Sequence, residues 1–137
     1  MSSSRFNKNG PNFVPAYQIS GVPWATGSLT AGATAVEVKF PNVTRWVQIT
    51  NNSANAVRVG FSKNGVDANP AANSNYFVVE GKSDTTQHMT DRLELRCKSI
   101  FLKRHSSSDA TVSIVAGLTG VEEFPVLTGS NGFKGIG

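Results

Sequence analysis

Few side chains in this sequence are suited to acid–base, nucleophilic or metal chemistry. The two histidines are His88 and His105, and the single cysteine is Cys97. Both histidines lie among polar residues, which is typical of exposed loops. Zinc sites use about four ligands, and these three residues with the scattered carboxylates show no ligand spacing. Cys97 alternates with Leu93 and Leu95, so we expect a buried thiol that behaves as a small hydrophobe.

The carboxylates offer two candidate acid–base groupings. Asp84, Asp91 and Glu94 are near one another in sequence, and Glu122 adjoins Glu123. General acid–base catalysis needs groups that converge on one substrate, whereas adjacent residues of a strand point to opposite faces. The sequence also has neither a dinucleotide-binding glycine fingerprint nor a P-loop. We therefore predict a protein that is not an enzyme and that has no metal or cofactor.

A basic band is the strongest charge feature. Five of the 13 Lys and Arg residues lie close together in sequence, opposed there only by Glu94; they are Arg92, Arg96, Lys98, Lys103 and Arg104. The net charge is +4. Such a band can bind nucleic acid or an acidic protein, or it can serve solubility alone. The neighbouring aromatic residues (Trp46, Tyr76, Phe77 and Phe101) occupy apolar positions, so we expect them in the core rather than exposed for base stacking.

Short strands would have to position these residues. From Thr34 onwards apolar and polar residues alternate, as in Val36–Phe40, Val57–Phe61 and Val112–Ala116. This period of two indicates strands with one buried face. With the short apolar runs there are seven strand candidates, Leu93–Cys97 among them, and an eighth could come from residues 83–89 or from the N-terminal segment. The charged fraction of 16% and the lack of a helical period exclude coiled coils and helical bundles.

Strands at this spacing predict an all-β chain, and the length of 137 residues predicts one domain. The hairpin-type turn Lys63–Gly65 and the polar loop Val66–Asn75 separate two of the strands. Because no Cys…Trp…Cys spacing exists, we favour a jelly roll over an immunoglobulin-like sandwich. The prediction is a single jelly-roll β-sandwich of about eight antiparallel strands with extended N- and C-terminal arms.

The predicted organisation is an N-terminal arm over residues 1–33, a sandwich core over 34–117 and a C-terminal strap over 118–137, which has room for a last strand. Both ends are rich in glycine and lack a sustained period. Both ends also contain aromatic residues, whose large apolar side chains stabilise a structure when they are buried, so we expect the arms to contact other molecules. The candidate contacts are Phe6, Phe13, Tyr17, Trp24, Phe124 and Phe133. No apolar run is long enough to span a bilayer, and no secretory signal is recognisable.

Four blocks of the sequence resemble segments of known proteins: Arg5–Gln18, Val57–Ser62, Val115–Thr119 and Leu127–Phe133. They are similar to small structural proteins of large icosahedral double-stranded DNA viruses, the algal viruses in particular. In size the chain resembles the single jelly-roll proteins that form five-fold vertex capsomers, called pentons.

The resemblance implies a virion protein that is assembled into the capsid in the host cell. It also implies a homo-oligomer, a pentamer for a penton, that contacts neighbouring capsid proteins. The basic band would then supply electrostatic contacts. Two alternatives stay open: a minor capsid or decoration protein of the same shell, and a β-barrel nucleic-acid-binding module. We expect no membrane span.

Overall fold

The computed structural model describes residues 21–67, 75–82, 88–128, 131–133 and 135–136. These residues form two four-stranded antiparallel sheets and one short helix. The strands are β1 (Val22–Ala31), β2 (Val36–Lys39), β3 (Thr44–Asn51), β4 (Val57–Gly60), β5 (Tyr76–Val79), β6 (His88–Met89), β7 (Ser99–Arg104) and β8 (Ala110–Leu118), and the helix is α1 (Lys63–Asp67). The predicted all-β sandwich architecture is confirmed.

The strand order is β1-β8-β3-β6 in the first sheet and β2-β7-β4-β5 in the second. The chain changes sheet at every connection except the one between β4 and β5. Pairing is therefore mostly between distant segments. Trp24 of β1 lies opposite Ala116 of β8, and Val38 of β2 lies opposite Ile100 of β7.

The core lies between the sheets and is built from the apolar set of each alternating strand. In the first sheet Ile49 and Ile114 are at most 1% exposed, and in the second Val59 and Leu102 are fully buried. Because successive side chains of a strand point to opposite faces, this places their neighbours on the outer faces. Cys97 is 1% exposed and belongs to the same core, so its predicted burial is confirmed.

Strand β1 lies inside the segment that the sequence analysis assigned to the N-terminal arm. It pairs with β8 from Val22 to Ala31, so it is an edge strand of the first sheet. The register shifts between Thr26 and Leu29, and Ser28 there has a φ of 56°. Such a bulge inserts an unpaired residue and interrupts the period of two, so the sequence indicates this strand only as a possible eighth one. Residues 1–20 lie outside the described residues, and with them the predicted contacts Phe6, Phe13 and Tyr17.

The predicted turn at Lys63–Gly65 is wrong, because the first turn of α1 lies there. The Ser62 hydroxyl accepts a hydrogen bond from the Gly65 amide at 3.0 Å, as an N-cap does. Val66, predicted to begin a loop, is fully buried. It lies against Gly60 of β4, where a Cβ would come within 2.6 Å of a Val66 methyl group. Helix α1 thus packs on the outer face of the second sheet.

The predicted strand over Leu93–Cys97 is also wrong, since only Leu93 forms a bridge, to Val47. Beyond Leu93, the Thr44 hydroxyl forms hydrogen bonds with backbone groups of this segment. It donates to the Leu95 carbonyl at 2.7 Å and accepts from the Cys97 amide at 3.1 Å. A side chain therefore satisfies backbone groups that a regular ladder would have paired.

Candidate functional site

A groove of about 440 Å³ lies on the outer face of the second sheet. Its floor includes Glu37 and Lys39 of β2 and Phe101 of β7. These side chains face outwards because Val38, Ile100 and Leu102 beside them are buried in the core. The start of α1, Phe61, Lys98 and residues 124–128 also line it. Apolar rings and lysine side chains thus border the same groove.

The described part of the predicted C-terminal strap lies across its own sandwich. The Val43 amide donates to the Val121 carbonyl at 2.8 Å, and Nζ of Lys98 donates to the Glu122 carbonyl at 2.7 Å. Phe124 then lines the groove. Near the end of the chain, the Ser62 hydroxyl donates to the Ile136 carbonyl at 2.8 Å. Contacts within one chain therefore order this segment.

The predicted aromatic contacts of the two arms lie in different places. Trp24 is half-buried in β1, and its ring meets that of Phe40 edge-on, with the centroids 4.9 Å apart. Phe124 and Phe133 are half-buried too. The most exposed large apolar residue of the C-terminal segment is Val126, at 68%, and the sequence did not single it out.

The basic band is divided between the two sides of the sandwich. Nζ of Lys103 donates to Oδ1 of Asp67 in α1 at 2.9 Å, over the second sheet. The Arg92 guanidinium lies 5.8 Å from the Trp46 ring centroid, on the first sheet.

The remaining residues of the band have local partners or are exposed. Arg104 donates to Asp109 at 3.0 Å, Arg92 pairs with Glu94 at 3.0 Å, and Arg96 is exposed. The five residues of the basic band are thus close together in sequence but do not form one surface patch.

The expectation that the aromatic residues near the band are core residues is wrong for Trp46, Tyr76 and Phe101. All three are half-buried and face outwards. Tyr76 and Phe101 both pair with Gly60, on the outward side of β4. The Arg58 guanidinium lies 4.4 Å from the Tyr76 ring centroid. A large apolar residue of a strand can lie on either face when other parts of the chain cover the outer face too. Phe77, by contrast, packs against the core.

The two histidines and Cys97 have different surroundings. Nδ1 of His88 lies 2.6 Å from the Gly81 carbonyl, and this ring is half-buried in β6 rather than in an exposed loop. His105 is exposed and accepts a hydrogen bond from Nε of Arg58 at 3.3 Å. Burial raises the pKa of the Cys97 thiol, and the Thr44 hydroxyl beside it partly opposes this rise in pKa. Among the described residues, no group of three or more His, Cys, Asp or Glu could hold a metal ion.

The outer face of the first sheet has a different character, and we call it the uncharged face. It is defined by the outward residues of the regular ladder positions: Pro23, Ala25, Thr30, Trp46, Gln48, Thr50, Met89, Thr111, Ser113 and Val115. None of these ten side chains is charged. Two cations lie at its end, where Arg45 lies at a register shift of β3 and Arg92 lies over Trp46.

Trp46 occupies the uncharged face because Gly117 lies beneath it. A Cβ at Gly117 would overlap Nε1 of the indole. The glycine thus lets a large ring lie flat on the sheet. Trp46 was predicted to lie in the core; the sequence signal for its outward position is the glycine in the long apolar run of β8.

No helix in the described part of the chain has the length and apolar character needed to cross a membrane. Comparison with protein-family models, with curated proteins and with solved structures found no match. The geometry of these two outer faces and the strand order are therefore the structural basis for a functional proposal.

Proposed function

We propose that this chain is a structural protein of an icosahedral virus capsid, namely the penton at the five-fold vertex, and that its sandwich is a single jelly roll. The strand order carries the fold part of the proposal. β1 pairs with β8, β2 with β7, β3 with β6 and β4 with β5. This is the pairing of one long hairpin, with its tip between β4 and β5, rolled into two sheets, and jelly rolls have this arrangement.

Jelly rolls occur in viral capsid proteins, in lectin domains and in cupins, so the fold by itself does not select a function. Two features favour the capsid. The four sequence blocks described above resemble proteins of large icosahedral DNA viruses. The uncharged face also suits contact with another protein, because charged residues are depleted at the centres of protein interfaces.

The function would be assembly rather than catalysis. Five copies around an axis make a heterologous ring, in which one surface of each subunit meets a different surface of the next. Apolar burial at roughly 25 cal/mol per Å² would drive the contact. The aromatic residues of the N-terminal arm would add contacts to neighbouring subunits or capsomers. The protein would accordingly be found in the virion.

The second candidate is a minor capsid or decoration protein of the same shell. One observation favours it: residues 119–128 lie on their own sandwich, which gives a subunit that needs no exchange of this segment. The nucleic-acid module has less support. Lys103, Arg104 and Arg92 already have carboxylate partners within the chain.

Native mass spectrometry of the 137-residue chain, with negative-stain electron microscopy, tests the proposal. We expect a closed ring with five times the subunit mass of 14.6 kDa and five-fold symmetry. A ring of another symmetry would favour the minor capsid role. A monomer at every concentration up to about 1 mM would contradict the penton, and tight oligonucleotide binding that weakens steeply with salt would favour the nucleic-acid module.

A further inference from the structure

We propose that the groove on the outer face of the second sheet binds the N-terminal segment of its own chain, residues 11–19, with Phe13 and Tyr17 as the anchoring side chains. The inference goes beyond the capsid function and does not rest on it. Residues 1–10, with Phe6 among them, stay available for contacts with neighbouring subunits.

The groove has the size and lining of a binding site for apolar side chains. Its volume of about 440 Å³ lies within the range of roughly 300 to 1,000 Å³ that is usual for ligand pockets. Three half-buried phenylalanine residues line it, namely Phe61, Phe101 and Phe124. Val126 borders it and is 68% exposed. An apolar occupant would remove this surface from water, which stabilises the bound state.

The charges around the groove favour an uncharged occupant. Glu37 and Lys39 lie 4.0 Å apart on its floor, and Lys63 pairs with Asp67 at 2.7 Å. Nζ of Lys98 donates to a backbone carbonyl of the C-terminal segment. A charged occupant would face charges of both signs, so electrostatic complementarity selects neither a cation nor an anion.

The chain itself contains an uncharged segment with large apolar side chains. Residues 9–20 include no Asp, Glu, Lys or Arg, and they carry Phe13, Tyr17 and Ile19. The other segments outside the described residues are 68–74, 83–87, 129–130, 134 and 137, and none of them contains a large apolar residue. Among these segments, only the N-terminal one has the side chains to occupy an apolar groove.

The prolines of this segment suit a groove lined by aromatic rings. Pro11 and Pro15 flank Phe13, and proline favours the extended polyproline II conformation. Segments of this kind bind aromatic-lined grooves with little loss of conformational entropy. Asn64 and Ser99 also line the groove, and their side chains can donate hydrogen bonds to the carbonyl groups of an extended backbone.

The described chain begins at the end of the sandwich where the groove lies. Val22, the first residue of β1, lies opposite Leu118, the last residue of β8. The Trp24 ring has its centroid 4.9 Å from that of Phe40, and Phe40 also lines the groove. Gly21 has a φ of 76°, a conformation typical of turns. The start of β1 is therefore next to the groove.

The N-terminal segment is long enough to reach the groove of its own molecule. Packed sheets lie about 10 Å apart, whereas Phe13, eight residues before Gly21, can lie up to about 28 Å from it. Attachment to the same chain also gives the segment an effective concentration in the millimolar range at its own groove. Its own groove is thus favoured over that of another copy in dilute solution.

Photo-cross-linking of the 137-residue chain tests this placement. The photoreactive p-benzoylphenylalanine replaces Phe13, and equal amounts of isotopically labelled and unlabelled protein are mixed before illumination. Mass spectrometry should find residue 13 joined to residues 61–64, 98–101 or 124–128, with the same label on both peptides. The same replacement at exposed Ala33 is the control and should not reach these residues. Cross-links outside the groove, or mainly between labelled and unlabelled copies, overturn the proposal.

Two glutamate substitutions in the C-terminal segment test the groove itself. Val126→Glu places a carboxylate at the border of the groove, whereas Val121→Glu adds the same charge at an exposed residue that does not line it. The first should lower the cross-linking yield at least about fivefold, because a carboxylate resists burial against apolar side chains, and the second should leave the yield unchanged. Thermal unfolding would verify that both fold. Equal yields for the two variants overturn the proposal.

A fluorescent dye that binds apolar surface gives an independent measurement. Replacement of both Phe13 and Tyr17 by Ser should uncover the groove and raise dye binding at least about threefold, because exposed apolar patches bind such dyes. Phe6→Ser removes an aromatic ring outside the docked segment and should leave dye binding unchanged. Unchanged dye binding in the double variant overturns the proposal. Native mass spectrometry of the same samples reports the ring separately, so failure of this docking is distinguishable from failure of the penton function.

Discussion

The indole of Trp46 on β3 lies against the backbone of Gly117 on β8, in the space that a Cβ would need. This close approach lets a tryptophan lie flat on the outer face of a sheet.

Gly117→Ala should therefore destabilise the protein, because the added methyl group overlaps the indole and Trp46 must move. Overpacking of this kind costs typically about 1 to 3 kcal/mol. Urea unfolding followed by tryptophan fluorescence measures both the free energy of unfolding and the ring environment. Gly27→Ala is the matched control, since a Cβ there would lie 3.9 Å from its nearest neighbour, Oγ of Ser113. Equal unfolding midpoints for the two variants would contradict the role of Gly117.

Thr44→Val should destabilise the sandwich although it preserves the shape of a fully buried side chain. The hydroxyl that accepts from the Cys97 amide and donates to the Leu95 carbonyl is lost. A buried group left without a partner costs about 1 to 3 kcal/mol. Chemical denaturation gives the change in unfolding free energy. The same substitution at exposed Thr30 should change it by less than about 0.5 kcal/mol, and a Thr44→Val variant as stable as this control would refute the argument.

Acid should weaken the contact between α1 and the second sheet. Hydrogen bonds from Lys63 and Lys103 lower the pKa of Asp67 below its ordinary value of 3.8. The unfolded chain therefore binds this proton more readily than the folded chain, so the stabilisation is present above about pH 4 and is lost as the pH falls through the lowered pKa.

Thermal unfolding of Asp67→Asn across pH 3 to 6 checks this prediction. The variant should be less stable than the unsubstituted chain at pH 6, and the difference should shrink towards pH 3. Asp91→Asn makes the same charge change at an exposed residue and serves as the control. A stability difference for Asp67→Asn that does not vary with pH would count against the ion pairs as its source.

The Cys97 thiol should be unreactive in the folded protein. It is 1% exposed, and burial raises its pKa, so both access and thiolate formation are disfavoured. Absorbance during reaction with an aromatic disulfide reagent at pH 8 measures the rate. We expect the rate to rise by orders of magnitude on unfolding, and an Ala33→Cys variant to show one fast thiol and one slow one. Rapid modification of native Cys97 would show that the core is more open than described.

Alternation alone was enough to predict the strands with regular inner faces. Val57 and Val59, or Val112 and Ile114, are apolar at every second position and buried, as expected. This works because the period of a strand is local. The sequence offered β1 only as one of two places for an eighth strand, because its bulge at Ser28 interrupts the period. The Leu93–Cys97 run forms no regular ladder, because the Thr44 hydroxyl bonds to its backbone groups instead.

The surfaces of the folded protein were harder to predict from the sequence. The basic band is continuous along the chain, yet Lys103 and Arg92 lie on opposite sheets. The uncharged face is assembled from strands β1, β3, β6 and β8, so no window of sequence contains it. Its ten members could be recognised only after the register had been established.

The amino-acid sequence by itself determined that this protein is built from strands and which side chains of the regular strands are apolar, because both depend on the spacing of near neighbours. Only the tertiary structure decided that β1 pairs with β8, that Trp46 lies outside the core and that Val66 begins no loop but anchors a helix. These outcomes depend on contacts between distant segments, such as Gly117 beneath Trp46 and Gly60 beneath Val66. Alternation carries no information about which strand will be the partner, and hence none about which outer face a residue will help to form.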